Sequence, residues 1–152
     1  MNFKKIIQVF IFTLLLPFIH FGQIELVEYR SEKIRKKILK IAQKIAEEDG
    51  IDSEVVGFEL ERTKQYDRFI KLVKKTTIKE LVELTNHPNS SVRGYSFWGL
   101  AKRHYDNLET IFIKHANDEE NVLFMYACSL MDITVIEFMS EVVVSNDFDI
   151  DC

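Results

Sequence analysis

The chain has 152 residues and a formal net charge of −4, with 47% hydrophobic and 29% charged residues. That length supports one domain with its own core, and the acidic balance argues against a nucleic-acid partner. Cys128 and Cys152 are the only cysteines; one falls in an apolar stretch and the other ends an acidic tail, so unpaired thiols are expected and stability must come from packing.

Residues 1–22 carry Lys4 and Lys5, an apolar run from Ile6 to Leu16, then Pro17 and the small Gly22 before Gln23. This is the three-part pattern of a secretory signal peptide, and the run is short for a membrane span. Export to the periplasm or the exterior is expected, with the segment removed. An uncleaved anchor is the alternative, because His20 and Gly22 fit the small-x-small cleavage rule poorly. Losing Lys4 and Lys5 and no acid moves the formal charge from −4 to −6.

From Arg30 to Glu48 the spacing of Ile34, Ile38, Ile41 and Ile45 predicts an amphipathic helix, within an N-terminal unit of residues 23–52. Arg30, Lys33, Arg35, Lys36, Lys37, Lys40 and Lys44 crowd ahead of Glu47, Glu48 and Asp49. Bases before acids oppose the helix dipole by some tenths of a kcal/mol per charge. The plain reading is a solvated face; the alternative is a surface for anionic polymer or lipid. Asp49-Gly50-Ile51-Asp52 reads as a helix stop, and Glu54 to Lys75 as a helix broken near Glu61 to Lys64.

Thr77 followed by Glu80 is a capping-box pair, and Ile78, Leu81, Val82 and Thr85 share one helical face. His87-Pro88 ends that helix, Asn89-Ser90-Ser91 caps the next, and a second helix is predicted from Val92 to His104. The spelling HPNSSVRGYSFWGLA resembles a HEAT repeat, although Phe97, Trp98 and Gly99 stand where the family has small alanines. A shift of 30 residues aligns Ile78 with Leu108, Leu81 with Ile111, Val82 with Phe112, Val92 with Val122 and Leu100 with Leu130. Lys64 to Arg103 also resembles small exported bacterial proteins of HEAT-like, armadillo-type character, a likeness that brings no activity with it. The resemblance implies an all-α fold: a short right-handed helical-repeat (HEAT-like) array of about six helices over residues 53–144. An irregular helical bundle is the alternative. Family arrays pair an Asp and an Arg between neighbouring repeats, which implies a structural pair of Arg93 with Asp118.

Further along, Asp106 and Glu109 form another capping pair, and Leu108, Ile111, Phe112 and His115 make an inner stripe. A turn at Asn117 to Glu120 leads to a predicted helix from Val122 to Met131. A last helix is predicted from Ile133 to Val143, before an acidic tail at 145–152.

Little of this points to chemistry. His87, His104 and His115 have no metal-like spacing, and neither HExxH nor CxxC occurs, so no metal, no cofactor and no catalytic residue is expected. Ser90 and Ser91 are caps, and Asn146 to Asp151 lacks the glycine and final glutamate of a calcium loop. Tyr95, Trp98, Tyr105 and Tyr126 are the candidate partner-binding residues. Tyr95, Phe97 and Trp98 diverge around one helix, so at least one is expected at the surface. The reading is an exported protein-binding or scaffolding module with no catalysis of its own. It would take a protein partner and no nucleic acid, and touch membrane only through an uncleaved leader. The alternatives are a lyase-like HEAT protein handling a small ligand or chromophore, and a binder of anionic polymer or lipid.

Overall fold

A computed structural model describes residues 28–145; the expected signal segment at 1–22, the expected tail beyond Ser145 and Cys152 lie outside the described residues. After a 3-10 turn at Ser31–Lys33 come α1 (Lys36–Glu48), β1 (Ile51–Val56), α2 (Lys64–Lys75), α3 (Ile78–Leu84) and α4 (Ser90–Lys102). They are followed by α5 (Leu108–Lys114), β2 (Asn121–Ala127), β3 (Ser129–Thr134) and α6 (Val135–Ser145). The fold is therefore mixed α/β and not the expected all-α HEAT-like array. Among the described residues, six helices accompany a three-stranded sheet of order β1-β2-β3, in which β1 runs parallel and β3 antiparallel to β2.

The correction has a local cause. Residues 121–134, which contain the helix expected from Val122 to Met131 and the expected start of the last helix at Ile133, form a hairpin. Along β2, Val122 and Phe124 are buried while Leu123 is exposed, the period of two that a half-buried strand requires. Val, Phe and Tyr favour that extended backbone, and Ala127, at φ 48°, turns the chain into β3. Over so short an apolar run, periods of 2 and 3.6 share several positions, so the offset matched without any repeat being present. The start of the expected Glu54 to Lys75 helix is likewise extended. Ile51 and Ser53 are buried and Glu54 is exposed, and Gly57, at φ 72°, bends the chain so that Val56 bridges to Glu61.

The helical signals did their work elsewhere. Thr77 accepts from the Glu80 N–H and Glu80 accepts from the Thr77 N–H, closing the capping box that starts α3. α4 is the centre of the molecule, with every residue from Ser90 to Leu100 buried. It packs against all five other helices and against β1 and β2. Two glycines permit this. A Cβ on Gly94 would collide with Ile51 Cδ1 and press on Phe138, and one on Gly99 would sit 3.1 Å from Val73. Phe69 of α2 stacks on both Tyr95 and Trp98, with ring centroids 4.7 and 4.5 Å apart.

Candidate functional site

Burial removes two of the four aromatic candidates from any partner's reach, since Tyr95 is 0% and Trp98 3% exposed. The Tyr95 hydroxyl accepts from the Asp52 N–H at 2.7 Å and donates to the Asp52 carbonyl at 3.2 Å, tying α4 to β1. Burial pushes that phenol's pKa well above its ordinary value. Tyr105 and Tyr126 are half-buried and pack against the core. The premise that one aromatic of α4 must reach the surface fails because this helix has neighbours on every side; Phe97 too is fully buried, beside Phe112.

Arg93 and Asp118 do meet. Arg93 Nε donates to Asp118 Oδ2 at 2.7 Å and Nη2 to Oδ1 at 2.9 Å, a two-pronged pair. The same guanidinium reaches Glu120 at 2.7 Å and the carbonyls of His87 and Pro88 at 2.9 Å. Burial alone would raise the Asp118 pKa, but contacts from His115 and Arg93 outweigh it and hold the carboxyl at about 2. The Asp118 and Glu120 carbonyls accept the Ile136 and Val135 N–H groups. The cluster therefore locks the start of α4 to the α5–β2 connection and to the start of α6, with no repeat interface involved. Among the described residues, no group of three or more His, Cys, Asp and Glu side chains is placed to hold a metal ion.

What stands open is the outer face of the sheet. Register pairs Met125 with Leu130, Leu123 with Asp132, and Asp52 with Met125. These side chains share the face turned away from the core. Leu123 is 49% and Leu130 62% exposed. The Gly57 N–H donates to the Ala127 carbonyl at 2.8 Å, which brings the turn carrying Phe58 and Leu60, both exposed, to the hairpin end of the sheet. β3 is an edge strand. Among the described residues, only its last residue, Thr134, takes a backbone partner outside the ladder, the Glu137 carboxylate.

No protein-family model, curated protein or solved structure matches this chain. Among the described residues, no helix is long and apolar enough to cross a membrane. The open face thus stands on geometry alone, and its residues escaped the sequence reading because Leu123, Met125 and Leu130 were assigned to a helix. The alternation of Ile51 to Glu54, and the β-rich run Val122 to Tyr126, were the signals that could have found it.

Proposed function

We propose that the protein is an exported, non-catalytic interaction module that docks an extended segment of a partner protein on the β3 edge and the adjoining outer face of the sheet. One observation carries this reading: exposed Leu123 and Leu130, with half-buried Met125 beside them, form an apolar strip next to an open strand edge, on a face where Asp52 and Asp132 supply charge. An apolar centre with a polar rim is the anatomy of a docking surface. An added strand would take up the free backbone groups of β3, and its alternate side chains would meet Leu130 and Met125.

The test is site-specific photocrosslinking of the full chain in its own host. One variant carries the crosslinking residue at position 130, and a control carries it at position 79 on α3, which packs away from the sheet. The expected result is a discrete protein adduct from position 130, absent from position 79 and lost when Leu123→Glu is added to a protein that still melts normally. Adducts of equal pattern from both positions, or none from position 130, would overturn the proposal.

A further inference from the structure

The basic face of α1 does not stand alone. α1 and α2 lie antiparallel: the Arg35 guanidinium donates to the Lys75 carbonyl at 2.7 Å at one end. At the other, the Gln65 amide donates to the Ile45 and Gly50 carbonyls at 3.1 and 2.8 Å. Between them runs a groove of about 280 Å³ lined by Ile41, Lys44, Lys64, Asp67, Arg68 and Lys71. On α1, Lys37, Lys40 and Lys44 are three and four residues apart; on α2, Lys64, Arg68, Lys71 and Lys75 are four, three and four apart. Each set is a stripe along its helix. At ~1.5 Å rise per residue, the stripes are about 10 and about 16 Å long. Lys37, Lys40, Lys44, Lys64 and Lys71 are exposed, and among the described residues none has an ion-pair partner. The acids nearby are already engaged: Asp67 accepts from Arg62 at 2.8 Å, and Glu48 from Arg68 at 3.0 Å.

We infer that this groove binds a linear acidic polysaccharide, lying along the two rows of cations. A double row of cations in which these five lysines are unpaired attracts a polyanion, and a groove with charged walls focuses that field. The lining selects among polyanions. Ile41 is its one apolar residue, so an acidic peptide would find no pocket to anchor a side chain. No lining residue is aromatic, so the stacking platform that single-stranded nucleic acid uses is missing. The apolar faces of α1 and α2 are buried in the core, which leaves nothing to insert into a bilayer. Lysine ammonium groups are mobile point charges that tolerate variable anion spacing, where an arginine fork would demand one geometry.

The probe is a heparin hexasaccharide, titrated into the full chain by calorimetry. Binding is expected to weaken on the order of tenfold to a hundredfold between about 50 and about 200 mM salt, as release of several counterions requires. Lys44→Gln with Lys71→Gln is expected to lose about tenfold in affinity. Lys79→Gln with Lys114→Gln, the same change in net charge, is expected to lose less than about twofold. All four sites are exposed, so unchanged melting curves check the fold. Equal losses in both pairs, no hexasaccharide binding, or equal binding of poly-glutamate or of phosphatidylglycerol vesicles would each overturn the inference.

Discussion

Glu80 is almost fully buried, yet it is charged because every lone pair is used. The Arg35 guanidinium donates to both its oxygens, and the Arg35 and Thr77 N–H groups and the Thr77 hydroxyl add to these. The Arg35 contact, helped by those bonds, lowers its pKa to about 2, and Asp118 lies equally low. A carboxyl depressed in the fold stabilises it above its unfolded pKa and loses that contribution as pH falls through the folded value. Stability is therefore expected to decline from about pH 4.5 to about pH 2, by roughly 2 to 3 kcal/mol for each carboxyl. Urea melts across that range check this, and Glu80→Gln with Asp118→Asn should flatten the profile. Arg93→Ala strands a buried carboxylate and is expected to cost about 3 to 5 kcal/mol. In a double-mutant cycle with Asp118→Ala, additive losses would contradict coupling. Gly94→Ala gains about 1 kcal/mol of helix propensity. Its methyl, however, meets Ile51 and Phe138 in a filled core, so a net loss of about 1 to 2 kcal/mol is expected on chemical denaturation.

At the scale of elements, helix starts were legible because they are local. Thr77 with Glu80, and Asn89 capping Val92, need only residues three apart. The strands were not, because β1 finds its partner far along the chain and the alternation in β2 is brief. α4 was found as a helix but misplaced. A stretch from Val92 to Ala101 with Arg93 as its one charge is apolar all round, the mark of a central helix and not of one lining a repeat. Of the candidate surface, the basic row on α1 was readable, whereas its alignment with α2 depends on tertiary packing. Strand alternation makes a sharp prediction. Phe124→Ala, on the inner face, is expected to cost about 3 to 5 kcal/mol, and its neighbour Leu123→Ala within about 0.5. Equal effects in thermal melts would argue against the strand.

Across the whole molecule, charge is segregated. From Lys33 to Lys79 the chain carries most of the bases, while the outer face of the sheet bears Asp52 and Asp132. The two surfaces proposed here thus differ in sign, and salt should weaken saccharide binding while leaving the partner adduct at position 130 largely intact. The proposed export carries its own expectation: protein recovered from the host envelope or medium should begin at or near Gln23, which N-terminal sequencing checks. The parallel pairing of β1 with β2 has a consequence in time. β1 leaves any channel or ribosome early, but its partner follows only after the whole of α2 to α5. Until Asn121 to Ala127 emerges, Ile51 and Ser53 have no sheet to join, so the sheet can close only late in synthesis, with α6 still to follow. A chain stopped before Asn121 is expected to depend on a holdase to stay in solution.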